Sequence, residues 1–254
     1  MKNYKIILAY DGTRYNGWQK QGNTENTIQE KLERILMEIS GQEIEVSGSG
    51  RTDMGTHATG QVMHFYMDWK GTAEELLDAF NERLPEDIAG LSIEEMPPRF
   101  HSRLSAKAKH YSYSIWKSKK PPVFERKYVF RCEGDLDLAA MKQAAAAFVG
   151  EHDFKSFCAN KRMKKSTVRT IYKIGFEETE EKLVLHFYGN GFLYQMVRIL
   201  TGTLIEVGEG KRSPLDMAAI LQAEKREAAG FTAPSRGLFL REVYYEDWKE
   251  REEG

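Results

Sequence analysis

The sequence is short of cysteine and of long apolar runs. Cys132 and Cys158 are its only cysteines among 254 residues, and they are too far apart for a cysteine-based zinc site and too few for a disulfide framework. No apolar stretch approaches the roughly 18 residues that a membrane span requires, and the N-terminal residues turn polar too soon for a secretory signal. We therefore expect a soluble protein of a reducing cytoplasm, with both cysteines buried as small apolar side chains and no membrane partner.

The chain also lacks an excess of either charge, because 37 basic residues balance 38 acidic ones. The distribution is uneven, however. Residues 99–131 hold ten Lys or Arg against one acid, Glu125, and residues 161–173 hold six with no acid, whereas residues 242–253 are rich in acids. Aromatic residues interleave the first basic segment: Phe100, Tyr111, Tyr113, Trp116, Phe124 and Tyr128. Cations with flat stacking surfaces favour an RNA-binding groove, although a solvated charged face is the simpler alternative.

The first half reads as strand, helix, strand, strand, helix, strand. Strands are predicted at residues 4–10, 43–47, 61–67 and 91–96. A helix follows Thr27, which caps it in a capping box with Glu30, and a second helix covers residues 74–84. The second half repeats this order, with strands at 109–116, 168–176, 183–188 and 238–245 and helices at 138–149, 191–207 and 215–225.

This pattern predicts an α+β fold of two tandem ferredoxin-like βαββαβ units. We expect them to join into one mainly antiparallel sheet with helices on one face and an active-site cleft at the centre. The predicted domains are residues 1–104, carrying the catalytic loop, and residues 105–254, carrying the tyrosine and arginine of the cleft.

A glycine-rich loop at residues 48–60 is the most unusual stretch, since it places Arg51, Asp53 and His57 among four glycines. Glycine lets a backbone fold tightly and approach a ligand closely. The loop is neither a dinucleotide fingerprint nor a P-loop. Asp53 is either a functional carboxylate or an ordinary turn-forming residue. His57 and His64 have no cluster of other ligands around them, so a structural role is favoured over metal binding.

Arg198 is the single charge in the apolar stretch at residues 191–205. A helix this apolar is largely buried, and a buried guanidinium needs a carboxylate or a phosphate beside it. Helix reasoning alone leaves open whether that partner is structural or functional.

Residues 50–65, GRTDMGTHATGQVMHF, resemble the G-R-T-D-x-G-x-H-A-x-G-Q-V-x-x-F signature of TruA-type tRNA pseudouridine synthases. The likeness continues over nearly the whole chain, at residues 10–19, 153–158, 169–171, 191–198, 202–208 and 232–234. Met54, Thr56, Gln195 and the pair Lys109-His110 depart from the usual pattern, which bears on the choice of substrate rather than on the chemistry.

The resemblance implies that Asp53 is the catalytic nucleophile, that Arg198 pairs with it and that Tyr111 is the active-site tyrosine. Tyr111 and Arg51 are the residues expected to bind the substrate, by base stacking and phosphate contact respectively. The resemblance further implies a homodimer that converts uridine to pseudouridine at positions 38, 39 and 40 of the anticodon stem-loop of tRNA. The isomerisation conserves atoms and involves no redox step, so no cofactor and no metal are expected.

Two alternatives accompany this expectation. The chain could be a paralogue that modifies another structured RNA, as the departures from the signature would allow. It could also be a non-catalytic RNA-binding protein, which the basic and aromatic segment would explain without any chemistry.

Overall fold

A computed structural model of the chain describes residues 1–160 and 162–248. Lys161 of the second basic cluster and residues 249–253 of the acidic segment lie outside the described residues. The described chain forms two compact units: residues 1–107 together with residues 239–248, and residues 108–238. Within the described ranges, no helix is long and apolar enough to cross a membrane.

The first unit has the predicted order of elements. Its strands and helices are β1 (Lys2–Tyr10), α1 (Ile28–Ser40), β2 (Ser47–Gly48), β3 (His57–Met67), α2 (Ala73–Asn81) and β4 (Ile88–Met96). The second half of the chain supplies β5 (Ala108–Trp116), β6 (Phe130–Arg131), α3 (Leu138–Ala146), β7 (Gly150–Asp153), β8 (Val168–Glu178), β9 (Lys182–Gly189), α4 (Met196–Gly208), α5 (Met217–Ala223) and β10 (Leu238–Tyr244).

In the first unit β1 lies between β3 and β4 and is antiparallel to both. The short β2 pairs antiparallel with β3 at His64, on the side of β3 away from β1. This order of four strands, β4-β1-β3-β2, is that of a ferredoxin-like unit. The mixed α+β class with mainly antiparallel strands is thereby confirmed.

The last strand groups with the first unit, because Phe239 and Leu240 of β10 pair parallel with His57 and Ala58 of β3. The predicted domains, residues 1–104 and 105–254, place this strand in the second domain instead. The pairing of β10 with β3 joins strands that lie far apart in the sequence, so it is not visible in the order of elements along the chain.

Helix α1 begins where its sequence predicts. The Thr27 hydroxyl accepts a hydrogen bond from the backbone N–H of Glu30. Gly41 terminates the helix with a left-handed φ of 70°, which glycine adopts without steric strain because it has no side chain. The carboxylate of Glu30 lies 3.1 Å from Lys20 Nζ. The buried side chains of α1 include Leu32, Ile35 and Leu36, as the helical period predicts.

The second unit has the antiparallel sheet order β5-β9-β8-β7, with β6 parallel to β5. Helix α4 contacts both α3 and β5, and only Arg198 and Glu206 of its 13 residues are not buried. The predicted apolar helix therefore forms part of the core of this unit.

Several boundaries differ from those predicted. Helix α4 begins at Met196 rather than at 191, since Gln195 has a left-handed φ of 60°. Residues 43–46 are not in a strand, and β2 covers only Ser47–Gly48. The strands β6 and β7 were not predicted, because segments of two and four residues are too short to show a period.

Candidate active site

The glycine-rich loop connects β2 to β3 and makes a tight turn at Asp53. The N–H of Thr56 donates to the carbonyl of Asp53 at 3.0 Å, and Gly55, the third residue of this turn, has a φ of 75°. A positive φ at that position is typical of a type II turn, which favours glycine. The turn leaves the Asp53 side chain half-buried, with Met54 beside it largely exposed.

Buried polar groups hold the loop from beneath. The hydroxyls of Tyr10 and Thr52 lie 2.9 Å apart, and the Gln61 amide donates to the Gly50 carbonyl at 3.0 Å. The Ser49 hydroxyl in turn donates to Gln61 Oε1 at 2.7 Å. Burial raises the pKa of Tyr10 to about 12, so this phenol stays neutral at physiological pH. The residue before Asp53 is thus tied to the core of the first unit.

The segment at residues 10–19 packs directly against the loop. The backbone N–H of Trp18 donates to the Thr52 carbonyl at 3.1 Å. Gly17 has a φ of 89°, and a Cβ there would lie 2.7 Å from the same carbonyl oxygen. At Gly12 a Cβ would lie 1.9 Å from the Thr56 carbonyl oxygen. Two stretches that were recognised separately in the sequence therefore form one interlocked structure around Asp53.

Arg51 lies on the same loop as Asp53 and is exposed. Its Nε donates to the side-chain oxygen of Gln19 at 2.8 Å, which holds the guanidinium over the segment at residues 10–19. An exposed cation two residues from the carboxylate is well placed to meet a phosphate of a nucleic acid.

Both histidines of this region are buried in the first unit. Nδ1 of His57 lies 3.1 Å from the Gly12 nitrogen and 3.1 Å from a carboxylate oxygen of Asp11, and its ring stacks on Phe239. Nδ1 of His64 lies 3.0 Å from the Ser102 hydroxyl. Among residues 1–160 and 162–248, no three His, Cys, Asp or Glu side chains are grouped so that they could hold a metal ion.

Tyr111 belongs to the second unit and lies on β5, opposite Phe187 of β9. It is buried, and the ring of Phe192 meets it edge-on at a centroid distance of 5.2 Å. Tyr113, two residues further on, donates its hydroxyl to the Pro234 carbonyl at 2.6 Å. Burial raises the pKa of Tyr113, while Arg198 and Arg236 oppose this rise through their positive charge.

Arg198 lies in the first turn of α4 and is half-buried. Its Nε donates to the Ala233 carbonyl at 2.7 Å, and the Ala233 N–H donates to the Arg198 carbonyl at 3.1 Å. This reciprocal pair fixes the guanidinium against residues 232–234, another stretch that carries the family resemblance. The planar group is held in one orientation, as recognition of a carboxylate or phosphate requires.

The structure thus brings Asp53 and Arg51 together on one loop of the first unit, and places Tyr111 and Arg198 in the second. Sequence reasoning gave no role to Tyr10, Thr52 and Gln61, which support the loop. A signal was available for Gln61, a polar residue between buried strand positions, where it must find hydrogen-bond partners.

Comparison with known proteins identifies the class to which this fold and loop belong. A family model described as tRNA pseudouridine synthase matches residues 6–104 and 144–246. The chain therefore belongs to the tRNA pseudouridine synthase family, and it is an isomerase that forms pseudouridine in tRNA, as the sequence predicts.

Individual relatives match nearly the whole chain. A protein named tRNA pseudouridine synthase A from Bacillus sp. (strain KSM-64) is 44% identical to this chain, over 96% of this chain and 100% of its own length. The protein of that name in Listeria innocua is 44% identical over 97% of this chain and 100% of its own length. That of Geobacillus kaustophilus is 43% identical, over 96% and 94% respectively.

Likeness to solved structures is weak. A chain of an H/ACA ribonucleoprotein bound to a substrate RNA matches with a TM-score of 0.38 and 12% identity, over 80% of this chain and 44% of that one. Such a score supports no conclusion about this protein.

Proposed function

We propose that the protein converts uridine to pseudouridine in the anticodon stem-loop of tRNA, at positions 38, 39 and 40, with Asp53 as the nucleophile. The observation that carries this proposal is the turn of residues 53–56, which presents one half-buried carboxylate from a loop whose backbone is hydrogen-bonded on both sides of it. Family membership supplies the reaction, and the motif around Asp53 supplies the residue.

The reaction sets what the carboxylate must do. The N1–C1′ bond of the uridine breaks, the uracil turns, and a C5–C1′ bond forms while C5 loses a proton and N1 gains one. The Asp53 carboxylate is the group proposed to attack the ribosyl centre. Electrons and heavy atoms balance without any oxidant or reductant.

Arg198 is proposed to pair with Asp53 and to fix its direction in the catalytic complex. Support comes from the bond between its Nε and the Ala233 carbonyl, which orients the guanidinium, and from its place as one of the two residues of α4 that are not buried. A guanidinium held in this way favours the anionic form of a carboxylate beside it and costs little reorganisation during the reaction.

Tyr111 is proposed to stack against the uracil once the nucleotide has left its helix, and Arg51 to bind a neighbouring phosphate. Extruding a base costs roughly a few kcal/mol, which stacking and phosphate contacts offset. The position of Tyr111 on β5 and the exposure of Arg51 support these two roles.

We also propose that the enzyme acts as a homodimer in the cytoplasm. The family resemblance supports the dimer, and two unpaired cysteines suit a reducing compartment. Sedimentation equilibrium of the purified chain checks the first point: a mass of two chains is expected, and the mass of one chain at micromolar concentration would contradict it.

The proposed reaction is tested with unmodified tRNA that carries tritium at C5 of its uracils. We expect tritium release, and we expect it to stop when the uridines at positions 38, 39 and 40 are all replaced by cytidine. Release that continues undiminished from the substituted tRNA would refute the anticodon assignment, and no release from any tRNA would refute the reaction.

A further inference from the structure

An exposed aromatic tip stands out in the second unit. The connection between β5 and β6, residues 117–129, contains Phe124, whose side chain is 90% exposed. It is the most exposed aromatic residue among the large hydrophobic side chains of the described residues. A phenyl ring in water forfeits the stabilisation that burial would give.

This connection is held in place. Glu125 lies 2.5 Å from Lys182 Nζ, and the Trp116 indole donates to the Lys120 carbonyl at 2.7 Å. The Tyr128 N–H donates to the Glu125 carbonyl at 2.7 Å and closes a turn immediately after Phe124. The ring is therefore presented to solvent by a built turn rather than by an unconstrained loop.

The connection that carries the ring is rich in cations. Lys119, Lys120 and Arg126 are exposed, and the part of the chain that the structure describes gives none of them an ion pair. The Arg126 guanidinium donates to the Val123 carbonyl, which keeps it beside Phe124. Glu125 is the one acid of this connection, and Lys182 already neutralises it. The tip consequently combines one flat apolar surface with several unpaired positive charges.

The structure separates Phe124 from the other aromatic residues of the basic segment. Tyr111, Tyr113 and Trp116 are buried in the second unit, so their rings are not open to solvent. From the sequence all of these rings look equally suited to a groove. Phe124 is the aromatic side chain of this segment that is most open to a ligand in solvent.

We infer that Phe124 is a stacking platform for an unpaired nucleobase of RNA, and that Lys119, Lys120 and Arg126 bind the phosphates on either side. Stacking on an exposed ring with flanking cations is how proteins hold single-stranded RNA. A second copy of this tip fits less well, because it would bring the same positive charges face to face. The inference rests on the proposed function only in taking RNA as the ligand.

The test compares Phe124→Leu, which keeps an apolar side chain but removes the ring, with Phe124→Trp, which keeps a stacking surface. For unmodified tRNA, Phe124→Leu should weaken binding about tenfold and Phe124→Trp should bind within about threefold of the original chain. Binding of a fully paired RNA duplex should be unaffected by either change. Because stacking carries no charge, the loss should be similar at low and high salt.

Leu215→Ala is the matched control, since it truncates another highly exposed apolar side chain of the same unit and should leave tRNA binding unchanged. Equal tRNA affinity of Phe124→Leu and the original chain would overturn the inference. So would a change in sedimentation mass of the RNA-free Phe124→Leu protein, which would show that the ring covers a second copy. Tritium release by the unaltered enzyme tests the proposed function separately.

Discussion

The carboxylate of Asp53 is carried by a backbone with little freedom to move. The carbonyl before it accepts the Trp18 N–H, its own carbonyl accepts the Thr56 N–H, and the Thr52 hydroxyl is bonded to Tyr10. A nucleophile must be held within a fraction of an ångström of its reacting atom, so such restraint is what catalysis by one carboxylate needs. In the proposed mechanism, the chemistry thus depends on neighbours that do not react.

Arg198 gives the first prediction at this scale. Arg198→Met should lower tritium release at least about a hundredfold, because it removes a positioned cation from the reacting charge. Binding of tRNA should change little. The bond to Ala233 is lost as well, so the free energy of unfolding should fall by about 1–3 kcal/mol.

Arg212→Met is the comparison for this variant. Arg212 makes two bonds to Glu206, at 3.1 and 3.0 Å, and also lies in the second unit. It should lose stability but keep the turnover of the original enzyme per folded molecule. Full activity in Arg198→Met would remove Arg198 from the proposed mechanism.

His64 gives a prediction about pH. Burial lowers the pKa of His64, with the nearby His101 adding to the effect. The folded state therefore takes up a proton less readily than the unfolded chain, whose histidine titrates near ~6.5. The stability is present above that pH and declines as pH falls through the range between the unfolded and the folded pKa, by up to about 1.4 kcal/mol for each pH unit.

The free energy of unfolding, measured with urea at pH 7.5 and 5.5, checks this expectation. The fall between the two values should be smaller in His64→Gln than in the original chain. His152→Gln, in the second unit, is the comparison that should retain the original fall. An equal fall in all three proteins would show that His64 does not titrate in this way.

Among the elements, the glycine-rich loop depends on the segment that precedes α1. Gly17→Ala should lower the free energy of unfolding by about 1–3 kcal/mol, because its φ of 89° and the Thr52 carbonyl 2.7 Å from a Cβ both oppose a side chain. The displaced carbonyl lies next to Asp53, so kcat should fall more than stability alone explains.

Gly22→Ala is a control from the same connection, since nothing lies within 4 Å of a Cβ at that position. Thermal unfolding and tritium release, measured on both variants, should show a loss for Gly17→Ala alone. Similar behaviour of the two would mean that the close packing around Thr52 has no bearing on catalysis.

The elements also show how far the sequence predicts the structure. Helix α1 and the strands β1, β5, β8 and β9 were found from their periods, because each is long enough to repeat its pattern. The start of α4 is not predictable in this way, since the left-handed residue that precedes it, Gln195, is neither a glycine nor a proline. The loop around Asp53 was recognised by composition. The hydrogen bond between the Tyr10 and Thr52 hydroxyls, which supports this loop, could not be predicted because the two residues are 42 positions apart.

At the scale of the whole molecule, a formal net charge of −1 conceals a strongly basic segment. Binding of tRNA should therefore fall steeply with salt, since cations such as Lys119 and Lys120 release counterions from phosphates. Replacing both by glutamine should reduce the slope of log affinity against log salt by about two.

Lys2→Gln is the comparison, because Lys2 Nζ lies 2.7 Å from the Glu95 carboxylate and its charge is already neutralised by this ion pair. Fluorescence titrations of labelled tRNA between low and moderate salt give the slopes. A slope that is the same for the double variant and for Lys2→Gln would show that the basic segment does not meet the RNA backbone.

Single-turnover tritium release from C5-labelled tRNA by Asp53→Asn decides whether Asp53 is the nucleophile. No release above background is expected, while tRNA affinity stays within a few-fold of the original because binding depends on phosphate contacts. Asp78→Asn, an exposed carboxylate changed in the same way, should release tritium normally. Release by Asp53→Asn at the original rate would show that a group other than the Asp53 carboxylate attacks the ribose.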